Sequence, residues 1–424
     1  MIDYKKYFDV SDRAVEIVNC GEERAKASFK KVEEIATINQ LKVLKAFRDN
    51  RISEAHFNST SGYGYDDLGR DTLDKLYADI FGAEDALVRH NIISGTHALS
   101  LCLFGVLRPN DTLVAVTGKP YDTLEETIGI RGEEGVGSLK DFGVNYKEVP
   151  LKNSKVDFDG IKNAVDDSVK AVIIQRSKGY DFRESLLVDE IGEIISFVKS
   201  INKDIITIVD NCYGEFVEDK EPTEVGADLM AGSLIKNPGG SIARTGGYIA
   251  GKKEYVKMCS YKLNAVGIGK ECGATLGLNK EMYQGIYFAP FIVSQAVKTA
   301  ILTAQIFEDA GFDVCPKADE KRSCIIEAIK FGTKEGVCLF CQGIQKGAAV
   351  DSFVTPMPWD MPGYEHQVIM AAGAFNQGSS IELSADGPIT PPYIAYMQGG
   401  VTYDYGKTGV LFAVDNLLKN NIIK

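Results

Sequence analysis

Apolar side chains recur at steps of three and four through the first fifty residues, which predicts a long helix over 1–50. The NSTSGYG stretch at 58–64 interrupts that period with turn-forming residues, and a second helix is expected over 71–81. Beyond it the pattern changes. Seven short apolar runs follow: ALVRHNII (86–93), TLVAVT (112–117), NYKEVP (145–150), AVIIQ (171–175), IITIVD (205–210), LMAGSL (229–234) and GGYIAG (246–251). Most are rich in β-branched residues, and amphipathic stretches such as 187–199 separate them. Strands alternating with helices imply an α/β fold around a mainly parallel seven-stranded sheet, covered on both faces. A long helix is expected near 290–310. After it, short strands, glycine turns and the aromatic-proline loop TPMPWDMPGY suggest a smaller α+β domain. The expected division is a helical arm over 1–60, a large α/β domain over 61–290 and a small C-terminal α+β domain over 291–424.

Composition narrows the class. A chain of 424 residues, 45% hydrophobic and 25% charged, exceeds one small core and suits two lobes. Its net charge of −12 argues against nucleic acid, which needs clustered Lys and Arg. The polar N-terminus lacks the apolar core of a signal peptide, and no later stretch reads as long and uncharged enough to span a bilayer. The nine cysteines are odd in number and scattered, as expected of reduced thiols in a cytoplasmic protein. Cys338-x-x-Cys341 has the spacing of a redox or zinc pair. None of the four histidines stands at a convincing offset to complete a site, so no metal is expected.

Three polar clusters stand at the ends of predicted strands, where open α/β sheets bind ligands. Ser94-Gly95-Thr96-His97 follows the first strand and opens a helix, a place where backbone amides and small hydroxyls cradle anions. Asp210 ends IITIVD; a buried strand-end acid needs a cation, and a protonated pyridine nitrogen is one. Lys236 follows LMAGSLI and precedes the NPGG turn, without charged neighbours. A desolvated amine of this kind is expected to lose its proton readily, as Schiff-base chemistry requires. Together these point to pyridoxal 5′-phosphate (PLP) held as an internal aldimine on Lys236.

The segments SGTHAL, QRSKGYDFRESL, VDNCYGEF, SLIKNPGG and IELSADGP, in this order, resemble the cystathionine beta-lyase and methionine gamma-lyase group of fold-type I PLP enzymes. Within it they are most similar to the branch labelled aluminium-resistance or methionine gamma-lyase-like proteins, over nearly the whole chain. The resemblance implies a carbon–sulfur lyase of amino-acid metabolism acting on a cystathionine-, methionine- or cysteine-like substrate. It implies Lys236 as the aldimine lysine, Asp210 as the pyridinium partner and Ser94, Gly95 and Thr96 as the phosphate turn, with Ser233 a further phosphate contact. Tyr121 falls where the group stacks an aromatic ring on the cofactor and could act as acid or base. Tyr63, Tyr65 and Arg70 match a segment that reaches the phosphate of a neighbouring subunit. That implies a homodimer with shared active sites, paired into a homotetramer.

One departure concerns the substrate. The group binds the substrate carboxylate through a C-terminal arginine, yet the matching stretch reads Ile381-Glu382-Leu383-Ser384 and no arginine follows Arg322. Arg176 and Arg183, after the AVIIQ strand, and Arg244, past the Lys236 turn, are the candidates for that clamp. Other readings are an aldolase, aminotransferase or desulfurase on the same cofactor, or a non-catalytic PLP-binding stress protein. Ser233-x-x-Lys236 with Lys407-Thr408-Gly409 resembles a penicillin-binding pattern, but the serine lies in a strand-like run and no S-D-N occurs. No G-x-G-x-x-G follows the first strand, against a nicotinamide dehydrogenase.

Overall fold

A computed structural model describes residues 2–361 and 364–424. Helix α1 (Asp12–Asp49) begins where the Ser11 side chain accepts the Ala14 amide, the hydroxyl cap that such a start favours. Then follow α2 (Leu68–Ile80), β1 (Asp85–Arg89), α3 (Gly95–Val106), β2 (Thr112–Ala115), α4 (Asp122–Ile128), β3 (Asn145–Glu148), α5 (Phe158–Ala164), β4 (Val169–Gln175) and α6 (Val188–Ile201). The first lobe continues through β5 (Ile206–Asp210), β6 (Leu229–Ser233), β7 (Gly247–Gly251) and α7 (Lys253–Leu263). Helix α8 (Asn279–Asp309) leads to β8 (Asp313–Cys315), β9 (Glu327–Lys330), α9 (Lys334–Lys346), β10 (Val368–Ala371), β11 (Leu383–Pro388), β12 (Ile394–Gly399) and α10 (Tyr403–Lys419).

All seven expected strands form, in one sheet of order β1-β7-β6-β5-β4-β2-β3. The pairs from β6 through β5, β4 and β2 to β3 are parallel, and β7 is antiparallel to both β6 and β1. Two antiparallel steps restore direction, so β1 points the same way as β6. The carboxyl ends of β1, β2, β4, β5 and β6 therefore share one edge. Central strands β5 and β6 are buried at every residue, which is why their sequences are continuously apolar rather than alternating. Each fully buried Ile or Val contributes about 1.5–3 kcal/mol by leaving water. The second sheet, β10-β11-β12-β9-β8, is antiparallel throughout.

The long helix expected near 290–310 starts earlier, at Asn279, and carries Pro290 in its interior. It is long and apolar enough to cross a membrane by length and composition, contrary to the expectation that no stretch would be. Its apolar side chains are instead consumed inside the protein, where Ile286, Ala289, Val293, Ala300, Leu302 and Phe307 are buried. Gly21 of α1 lies against Ile306, Lys298 pairs with Glu33, and Lys407 of α10 pairs with Glu22. The expected boundary at 290–291 falls within this helix. Of the Cys338–Cys341 pair, Cys341 is buried and Cys338 half-buried on α9, both as free thiols. Among the described residues no cluster of metal-ligating side chains forms.

Candidate active site

A cavity of about 370 Å³ opens at the shared strand edge, between the two sheets. Ser94, Gly95, Thr96, Tyr121, Asp210, Ser233 and Lys236 all line it. The topology explains the gathering: Asp210 ends β5, Ser233 ends its parallel neighbour β6, and the turn after β1 delivers Ser94 to the same edge.

The anion cradle is built at the start of α3, a helix of 12 residues. The Ser94 hydroxyl oxygen accepts the His97 amide at 3.0 Å, which leaves its proton free to donate. Thr96 and Thr123 share a hydroxyl bond of 2.6 Å. A Cβ on Gly95 would stand 2.7 Å from Cys212 Sγ, so only glycine lets this turn sit so close to the end of β5. The Ser233 hydroxyl oxygen accepts the Ile235 amide.

Asp210 is buried, and the Cys212 amide donates to its Oδ1 at 3.1 Å. Burial raises its pKa, opposed by the Lys236 charge, so the two groups feel one another across the cavity. For Lys236, burial acts to lower the amine's pKa, but Cys212, Tyr213, Asp210 and Glu215 outweigh it and leave it raised. The expected desolvation is present, and these neighbours oppose its effect on the amine. The Tyr213 ring lies 4.0 Å from Lys236 Nζ, a cation–π distance. Tyr213 holds φ at +73°, a conformation costly for a bulky residue and typical of side chains held to a purpose.

The three arginines proposed for the carboxylate do not line the cavity. Arg176 is fully buried, its guanidinium donating to Asn211 Oδ1 at 2.7 Å, Glu221 Oε2 at 3.2 Å and Glu218 Oε1 at 2.9 Å. Arg183 donates to the carbonyls of Ser177 and Glu184. Arg244 is exposed and paired with Glu281. Each is engaged with its own chain and lies outside the cavity lining. Arg70 is likewise buried, and it donates to the carbonyls of Gly64 at 2.5 Å, Gly273 at 3.0 Å and Glu271 at 3.2 Å. It braces the 61–65 loop from within, while Tyr63 and Tyr65 stand exposed on that loop.

Several cavity residues were not foreseen. Tyr180 follows β4, and Tyr364 comes from the aromatic-proline loop and bonds Tyr121 hydroxyl to hydroxyl at 3.0 Å. Ser379 and Ser380 precede β11, Asp386 lies on it, and Gln398 lies on β12. The Ser380 hydroxyl donates to Tyr213. Tyr180 and Asp386 stand inside the QRSKGYDFRESL and IELSADGP motifs; their nearness to Lys236 arises only when the two sheets pack. A phosphorylated pyridine suits the arrangement: a hydroxyl-rich helix start for the phosphate, a half-satisfied buried carboxylate for a cationic ring nitrogen, and an amine between them.

Comparison with known proteins agrees. The methionine gamma-lyase family model matches residues 14–418. The YnbB protein of Bacillus subtilis (strain 168), itself uncharacterized, is 55% identical over 395 residues, covering 93% of this chain and 94% of that protein. A crystal structure of a carbon-sulfur lyase involved in aluminum resistance from Clostridium novyi NT superimposes with a TM-score of 0.94 at 52% identity, over 98% of this chain and 100% of that one. The pyridoxal-5′-phosphate dependent protein YhfS from Escherichia coli shares the fold, with a TM-score of 0.62 at 13% identity over 92% of this chain and 97% of that one. The fold is that of fold-type I PLP-dependent enzymes, and with a match spanning nearly its whole length, this chain belongs to the methionine gamma-lyase family.

Proposed function

We propose that the protein is a PLP-dependent carbon–sulfur lyase acting on a sulfur-containing amino acid of the cystathionine, methionine or cysteine kind, with the cofactor attached through Lys236 Nζ. The observation that carries this reading is that Asp210, at the end of β5, and Lys236, in the turn after the adjacent parallel strand β6, line one cavity together with the Ser94–Thr96 turn. Ser94, Gly95, Thr96 and Ser233 would hold the phosphate, Asp210 the ring nitrogen and Tyr121 a face of the ring. When bound, PLP supplies an electron sink for negative charge developing at the substrate Cα.

The remaining work belongs to the chain's own side chains. Lys236 would hold the cofactor, and its amine would serve as the base for the substrate α-proton. Tyr213 restrains that amine from its ring face. Burial raises the Tyr121 pKa, so its hydroxyl stays protonated and able to donate toward a departing sulfur. Ile326, Met361, Met370, Ala372 and Ala374 give the cavity an apolar wall that suits a thioether and excludes water.

The family implies amino-acid substrates and an oligomer. We infer a homodimer with shared sites, paired into a homotetramer, supported by exposed Tyr63 and Tyr65 beside exposed Leu276 on backbone-bonded loops.

Borohydride reduction followed by peptide mass spectrometry tests the cofactor assignment. The pyridoxyl mass is expected on the peptide bearing Lys236 and is absent in Lys236→Ala; an adduct on another lysine overturns the reading. Incubation with cystathionine, methionine and cysteine should then release thiol or sulfide together with a ketoacid. A ketoacid without sulfur release would indicate amino transfer instead.

A further inference from the structure

We infer that Asp386 selects the substrate: the cavity takes a sulfur amino acid whose side chain carries an ammonium group beyond the sulfur. The inference rests on the lyase reading above and names the substrate class within it.

Among the described residues, the cavity wall holds one cationic side chain, Lys236, and two carboxylates, Asp210 and Asp386. The cofactor assigned above occupies Lys236 and gives Asp210 a cationic partner. Asp386 is then left without one. The residue is 9% exposed, Oδ2 accepts the Tyr180 hydroxyl at 2.5 Å, and Oδ1 accepts the Gln398 side-chain amide at 3.4 Å. Both donors are neutral, so they orient the carboxylate without cancelling its charge. A buried carboxylate in that state is costly, and a ligand cation placed against it relieves the cost. An acidic side chain in the same place would meet repulsion, with none of Arg176, Arg183 or Arg244 there to offset it.

The groups facing Asp386 from each packed element leave this charge uncountered. They are Tyr121 from the start of α4, Tyr180 after β4, Tyr364 of the aromatic-proline loop, Tyr396 and Gln398 of β12, Cys341 of α9, and Lys236. Burial raises the pKa of the four tyrosines and of Cys341, so all five are neutral at ordinary pH. Lys236 is the single cation among them, and the cofactor claims it. Burial pushes Asp386 itself up to about 6, so its charge is present above that pH and fades below it.

S-(2-aminoethyl)cysteine and S-propylcysteine match in length and differ by an ammonium in place of a methyl. With cofactor-loaded enzyme, kcat/KM for thiol release and affinity from the cofactor's visible spectrum should both favour the aminoethyl compound by about tenfold or more at pH 8. That ratio should shrink toward pH 5, and Asp386→Asn should abolish it at every pH. The inference is overturned by a wild-type enzyme indifferent to the ammonium, by a ratio that does not move with pH, or by an Asp386→Asn variant that keeps it. The wild-type ratio and its pH profile decide the matter even if that variant does not fold. A chain that carries the pyridoxyl group on Lys236 yet shows no preference loses this inference alone; one that binds no cofactor there loses both.

Discussion

Glu215 shows how much a single side chain near the lysine turn can cost. It is fully buried, its Oε1 accepts the Tyr248 hydroxyl at 2.8 Å, and its Oε2 has no hydrogen-bond partner. Burial, with the nearby Glu221 charge adding to it, pushes its pKa up to about 8. Folded protein therefore keeps a proton that unfolded chain releases above the ordinary Glu range. Stability from this group is complete at acid pH and is lost as pH rises through about 8, on the order of 1 kcal/mol per pH unit. Urea midpoints of Glu215→Gln, which cannot ionise, should vary less between about pH 5 and 8 than those of wild type. Equal slopes would mean that Glu215 does not hold the proton. The same residue scale explains what was readable in the sequence. Asp210 and Lys236 announce themselves because charged groups at the ends of apolar strands are unusual. Arg176 sends the same signal for a different reason, since Glu218 and Glu221, its partners, come close only in the folded chain. Asp386, Tyr180 and Tyr364 look like ordinary polar residues until the second sheet brings them to the cavity.

Among elements, the strands were legible because each is short, apolar and bounded by turn residues, and all seven appear where periodicity places them. The direction of β7 was not, since an antiparallel step depends on the connection through the Lys236 turn rather than on the strand's own residues. That turn is tightly built. A Cβ on Gly239 would lie 1.5 Å from the Leu234 carbonyl oxygen, and Asn237 Nδ2 donates to the Glu215 carbonyl at 3.0 Å. Gly239→Ala must displace the backbone that presents Lys236. A loss of about 1–3 kcal/mol in stability is expected, together with weakened cofactor uptake, read by thermal melting and by visible absorbance. Unchanged values for both would show that the turn has slack.

For the molecule as a whole, the proposed sharing of sites between subunits makes a specific demand on Tyr63 and Tyr65, which stand exposed on their own chain. If they act on a partner's cofactor, Lys236→Ala and Tyr65→Ala subunits, each defective alone, should partly restore thiol release when refolded together. Mixed dimers then contain one site with both native residues. No recovery on mixing would place the tyrosine's action within its own subunit.

Helix α8 gives the two lobes a common fate. Dividing the gene at residues 290–291 would leave each product with half of a buried helix and the apolar surface it was covering, so neither half should persist as a soluble fragment. Gene fusions, circular permutations and split reporters built on this protein therefore belong in surface loops, away from the seam that composition suggests.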